Sequence, residues 1–178
     1  MVGSGMGAKN GILFKTAVSL EETGKVEIVA LDKTGTITSG QPRVTDILPV
    51  PGVTEKELLG LASALEQKSE HPLARAVLEK AGEQGIPAAE VTEFQALPGN
   101  GLTARLGEET LIGGSLTFIR SRVEIPASLE EQAAGLAEQG KTPLFFACGR
   151  QLAGVIAVAD VIKEDSPQAV REMRHMGI

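Results

Sequence analysis

The sequence has no tryptophan and no tyrosine, and aromatics make up only 3% of it. The core of such a chain must be filled mainly by leucine, isoleucine, valine and alanine. Binding of nucleic acid by stacked aromatic rings is disfavoured. Cys148 is the single cysteine, so no disulfide can form within the chain, which fits a reducing compartment, and one thiol makes no metal site. The net charge is −6, and no dense lysine/arginine cluster occurs. Affinity for a phosphate backbone comes from many cationic contacts, so no nucleic-acid partner is expected. No apolar run approaches the roughly 18 residues that span a bilayer, and no signal peptide is visible. Taken alone, the chain reads as soluble and cytoplasmic.

What is present is enough to fold. A length of 178 residues suits one domain or two small ones, and 42% hydrophobic content supplies a core. Residues 16–23 read as a weak helix. Residues 25–31 are nearly continuously apolar and predict a strand buried on both faces. "TSGQP" is a turn cluster, and "RVTDILPV" a strand. Thr54 and Glu57 form a capping box ahead of apolar positions at helical spacing. Pro72 opens a second helix that stops at Gly85. "VTEFQAL", "LTARL" and "TLIG" read as short strands, followed by helices at 115–121 and 128–139. "PLFFAC" and "LAGVIAVA" form a hairpin about Gly149-Arg150, and a last helix carries Pro167 in its first turn. The ends look like pieces of an α/β unit, and the middle like an antiparallel sheet with helices.

Three stretches carry chemistry. In "VALDKTGTIT" an apolar run stops at Asp32 and turns at Gly35. Ligands of open parallel sheets bind beyond such strand ends. A carboxylate there either caps a turn or serves as a nucleophile on phosphorus. Lys33 and the hydroxyls of Thr34, Thr36 and Thr38 suit phosphate oxygens. In "SEHPLARA", Glu70 and His71 stand at a helix start, which is an ordinary structural place for them. In "LPGNGLTA", Gly99 and Gly101 flank a turn, usually just a hairpin. Two further strings are decoys. "GLAEQGKT" matches a P-loop expression at residues 135–142, but a helix precedes it and a strand follows, the reverse of a P-loop. "GSGMGA" mimics a dinucleotide fingerprint with no strand before it.

Together these motifs resemble P-type ATPases, whose phosphorylation domain shares its fold with haloacid dehalogenase-like hydrolases. "DKTGTIT" is similar to their phosphorylation motif, which implies catalytic roles for Asp32, Lys33 and Thr34. Phosphatases of that fold carry an acid/base Asp where this chain has Thr34. "SEHPLA" is similar to the signature of the heavy-metal-transporting branch, which implies that Glu70 and His71 contact the adenine of ATP. Gly99 and Gly101 match a Gly-x-Gly that lets the backbone approach the nucleotide, since a Cβ would block it. That branch commonly has Gly-Asn where this chain has Gly113-Gly114. Asp160 and Lys163 resemble the hinge where the chain re-enters the phosphorylation domain.

The resemblance runs from end to end and implies an α+β nucleotide-binding domain inserted in an incomplete α/β dehalogenase-like phosphorylation domain. Expected boundaries are 1–41 for the linker and first phosphorylation part, 42–156 for nucleotide binding, and 157–178 for the return. The expected function is that of an ATP-binding and phosphorylation fragment of an ATP-driven heavy-metal exporter, most like bacterial copper exporters, which cycles through an aspartyl-phosphate. Its cofactors are ATP and, in the full pump, Mg²⁺, whose later Asp ligand is not in this sequence. No metal ligand is assigned within the chain. The implied partners are the remaining phosphorylation, actuator and transmembrane domains, at the cytoplasmic face of the cell membrane. The alternatives are a soluble dehalogenase-like phosphatase, a non-catalytic interaction module and, more distantly, a Walker-type NTPase.

Overall fold

The computed structural model describes residues 2–178. They divide into two compact units, Thr38–Val161 and residues 2–37 with Ile162–Ile178.

The larger unit is built on a six-stranded sheet. Its strands are β1 (Thr38–Pro49), β2 (Thr92–Leu97), β3 (Gly101–Leu106), β4 (Glu109–Gly114), β5 (Thr142–Cys148) and β6 (Gln151–Ile162), in the order β1-β6-β5-β4-β3-β2. From β2 through β6 the pairings are antiparallel. The sheet is covered on both faces, which is why its central strands read as unbroken apolar runs rather than alternating ones. Helices α3 (Glu55–Glu66) and α4 (Pro72–Glu83) cover one face, where Leu58, Leu65 and Val77 pack with Leu111, Phe146 and Ile156. Helices α5 (Leu116–Arg120) and α6 (Ala127–Glu138) cover the other, where Phe118, Ile119 and Leu129 pack with Ile112, Phe145 and Val155. Consecutive strand residues therefore serve opposite cores, as the two-residue period of a strand requires. Burying each large apolar side chain stabilises the fold by about 1.5–3 kcal/mol.

The helix ends follow the sequence. Thr54 caps α3 with both halves of its capping box: the Glu57 N–H donates to the Thr54 hydroxyl, and the Glu57 carboxylate accepts the Thr54 N–H. One reading of this unit changes. "TSGQP" belongs to the start of β1, not to a turn between strands. The Asp160 carboxylate on β6 accepts from the Thr38 hydroxyl, from the Ser39 hydroxyl at 3.2 Å and from the Gly40 N–H at 2.9 Å. This long-range clasp overrides the local turn preference of Ser, Gly and Gln.

The smaller unit holds α1 (Val2–Lys9), α2 (Ala17–Thr23) and α7 (Ser166–His175). The strand expected at 25–31 is absent. The backbone there forms no ladder among the described residues, and Ile28 is 87% exposed. A strand exists through its neighbours' hydrogen bonds, and apolar composition alone does not supply them.

Candidate functional site

In the larger unit a cavity of about 780 Å³ opens where the link from α3 to α4 meets the ends of β2, β3 and β4. Glu70, His71, Gly99 and Gly101, four residues singled out in the sequence, all line it. His71 is more than a neighbour of the helix start. It is the N-cap of α4, and its Nδ1 accepts the Leu73 N–H at 3.2 Å. A neutral ring with Nδ1 as acceptor carries its proton on Nε2, which leaves a donor for a ligand. Pro72 follows at the first helical position, where its missing N–H costs nothing.

The two glycines of the turn have different grounds. Gly99 has φ +76°, a conformation that penalises any Cβ. At Gly101 the obstacle is steric, because a Cβ would stand 2.2 Å from the Gly113 carbonyl oxygen. Gly114 is held the same way: its Cβ would meet the Asn100 oxygen at 2.5 Å and the Gly101 Cα at 2.7 Å. The close approach of β3 and β4 leaves no room for a side chain at 114 in this backbone conformation. The result is a stretch of cavity wall made of bare backbone.

Glu66 also lines the cavity, and the motif reading passed over it. It is 6% exposed, and burial pushes its carboxyl up to about 7, against a hydrogen bond from Ser69 that pulls the other way. A signal was present in the sequence. Leu58, Leu59, Ala62, Leu65 and Glu66 share one helical stripe, so the glutamate sits on the apolar face. A second, smaller cavity of about 460 Å³ lies on the same sheet face at the opposite strand ends, beside Leu61, Leu106 and the half-buried Cys148. Burial first, and Glu109 second, push the Cys148 thiol above its ordinary value, so it is not a reactive thiolate.

In the smaller unit Asp32, Lys33 and Thr34 are exposed and lead into a tight turn. Thr34 (φ −75°, ψ 120°) and Gly35 (φ 76°, ψ −11°) have the dihedrals of a type II turn, which requires glycine at its second central position. The return segment holds this turn. The Lys163 ammonium donates to the Gly35 oxygen at 2.9 Å, and the Lys163 N–H and the Ser166 hydroxyl both donate to the Ile37 oxygen at 2.9 Å. Among the described residues no group of three or more His, Cys, Asp or Glu side chains converges to hold a metal ion.

The P-loop-like string ends α6 and enters β5, confirming the reversed order. Its Lys141 is paired with Asp46 at 2.7 Å. "GSGMGA" lies within α1.

The larger unit is thus a sheet domain with a cavity large enough for a nucleoside, and the smaller carries an exposed aspartate before a type II turn. The chain belongs to the haloacid dehalogenase-like hydrolase family, whose profile matches residues 26–178. Over its whole length it is similar to bacterial copper-transporting P-type ATPases. It is 37% identical over 179 residues to copper-transporting ATPase 2 of Rhizobium meliloti, covering 100% of this chain and 22% of that protein. It is 38% identical to the copper-exporting P-type ATPase of Bacillus subtilis, again covering 100% of this chain and 22% of that one. The crystal structure of a zinc-transporting PIB-type ATPase in the E2.Pi state superposes with a TM-score of 0.89 at 34% identity, covering 98% of this chain and 28% of the other. The chain thus spans about a fifth of the length of these curated relatives. Among the described residues no helix is long and apolar enough to cross a membrane.

Proposed function

We propose that this chain is the nucleotide-binding and aspartate-phosphorylation part of an ATP-driven copper-transporting pump working at the cytoplasmic face of a membrane. Thr38–Val161 binds ATP. The segments 1–37 and 162–178 belong to the phosphorylation domain, which works with further phosphorylation, actuator and transmembrane domains. The observation that carries the reading is the convergence of Glu66, Glu70 and His71 with the Gly99–Gly101 turn on one cavity. His71 Nε2–H and the acidic side chains offer both donors and acceptors to a purine edge. The bare glycine wall allows the ligand to lie against backbone.

Asp32 is the acceptor of the γ-phosphoryl group. A carboxylate oxygen forms the new P–O bond as the bond from γ-phosphorus to the ADP oxygen breaks, and water later releases phosphate. Thr34, where a phosphatase would have an acid/base aspartate, slows that release and suits a phosphoenzyme that must persist while ions move. Copper as the cargo is supported by the names of the relatives.

The test is titration of isotope-labelled protein with β,γ-imido ATP, followed by NMR. Shifts at Glu66, His71, Gly99 and Gly101 that weaken about tenfold in His71→Ala are the expected result. An absence of shifts there overturns the nucleotide assignment. Turnover of a generic phosphate ester that is lost in Asp32→Asn would favour the soluble phosphatase instead.

A further inference from the structure

The cavity contains one side-chain amide, Asn100, at the tip of the Gly99–Gly101 turn. We propose, resting on the nucleotide reading above, that Asn100 holds the phosphate-bearing end of the nucleotide and so sets the preference of this cavity for phosphorylated over unphosphorylated ligands.

The main chain at Asn100 is fixed from both sides. Its N–H donates to the Leu97 oxygen at 3.0 Å, and its carbonyl accepts the Ser115 N–H at 3.2 Å. The side chain therefore leaves from a set point, yet among the described residues its amide has no hydrogen-bond partner within the protein. The other polar groups of the cavity are largely committed. The Lys68 ammonium donates to the Val91 oxygen at 2.8 Å. The Ser115 hydroxyl accepts the Phe118 N–H at 3.4 Å, as the cap of α5. The Ser69 hydroxyl accepts the His71 N–H at 3.3 Å.

No side chain can stand beside Asn100 on the wall, because Gly101 and Gly114 are closed against each other's strands. Asn100 is consequently the amide donor available at this end of the cavity. Charge sets the direction of the ligand. Glu66, the last residue of α3, and Glu70, on the link that follows, put carboxyl groups at one end of the cavity, and the Lys68 ammonium between them is engaged by the Val91 oxygen, so an anion is not drawn to that end. Leu65, next to Glu66, packs over Gly113, which pairs with Leu102. Asn100 stands two residues beyond that pair, outside the ladder. The base goes to the acidic end, and the first phosphate is left to the neutral N–H donors of Asn100.

The experiment is calorimetric titration of the whole chain with β,γ-imido ATP, ADP and adenosine, for the wild type, Asn100→Ala and Asn100→Asp. A hydrogen bond to a charged oxygen at an exposed site predicts about three- to tenfold weaker binding of both phosphorylated ligands in Asn100→Ala, with adenosine changed less than about twofold. Asn100→Asp is expected to lose more, and to recover part of the loss at high salt, because a carboxylate there repels phosphate. Unchanged affinity for the ATP analogue in Asn100→Ala overturns the proposal, as does an equal loss for adenosine, which would place the amide on the sugar. If the wild type binds none of the three ligands, the nucleotide reading fails along with it. If the wild type binds and Asn100→Ala binds equally, only the role of Asn100 fails.

Discussion

Replacing Glu66 by glutamine tests what a buried carboxyl does to this domain. Glu66 is 6% exposed, and its burial moves the carboxyl from an ordinary 4.5 to about 7. A displacement of that size corresponds to about 3 kcal/mol between protonated and ionised forms. The folded protein keeps a proton that the unfolded chain has already released between about pH 4.5 and 7. Unfolding in that window therefore loses a proton, and stability falls as pH rises. The contribution is fully present below 4.5 and is lost once pH has passed about 7. Glutamine has nearly the same shape and does not ionise. Glu66→Gln should match the wild type within about 1 kcal/mol at pH 5. At pH 8 it should be more stable, by up to about 3 kcal/mol.

The assay is urea unfolding at pH 5 and pH 8, followed through the methyl NMR signals of Leu65 and Ile156, which report on the larger unit. Parallel pH dependences in the two proteins would refute the reasoning, because they would mean that Glu66 titrates as an exposed carboxyl does. The same ionisation has a functional reading. A carboxylate that is costly to bury gains from a ligand that donates to it, such as the amino group of a purine. Affinity for β,γ-imido ATP should then rise with pH through about 7 in the wild type, and Glu66→Gln should show no such rise.

Other outcomes follow from the same geometry. Gly101→Ala should destabilise the larger unit by about 1–3 kcal/mol in urea, since its Cβ has no room beside the Gly113 oxygen. Gly99→Ala meets only a backbone penalty and should cost about 1 kcal/mol. Lys141→Ala should cost less than about 1 kcal/mol, as expected for a partly exposed ion pair, and should leave nucleotide binding intact; lost binding would revive the P-loop reading. The hydrogen bond from Lys141 also holds the Asp46 carboxyl below its ordinary range. The stabilisation from Asp46 is thus present at neutral pH and lost as pH falls through that lowered value, and Lys141→Ala should flatten this acid limb. Asp160→Ala removes an acceptor shared by the Thr38 and Ser39 hydroxyls and the Gly40 N–H. It should cost about 1–3 kcal/mol, and amide exchange at the start of β1 should speed up.

Local chemistry and periodicity made most of the larger unit legible. Thr54 and Glu57 announced their helix because a capping box is closed within four residues, and Pro72 and Gly85 bracketed the next helix for equally local reasons. Residues whose state depends on distant partners were misread. The start of β1 looked like a turn because the residue that straightens it, Asp160, is 120 positions away from Gly40. Residues 25–31 looked like a strand because their composition suits one, yet pairing is a property of neighbours and composition cannot supply it. The candidate site divides along the same line. His71, Gly99 and Gly101 were found through their motifs. Glu66 was hidden inside a helix stripe read only for its apolar members, and Asn100 was passed over as the residue between two glycines. Both are informative because they break the local pattern: a carboxyl on a buried face, and an uncommitted amide on a turn held by backbone hydrogen bonds. Such breaks cost stability or leave hydrogen-bonding capacity unused, and a ligand can offset the cost at Glu66 and use the capacity at Asn100.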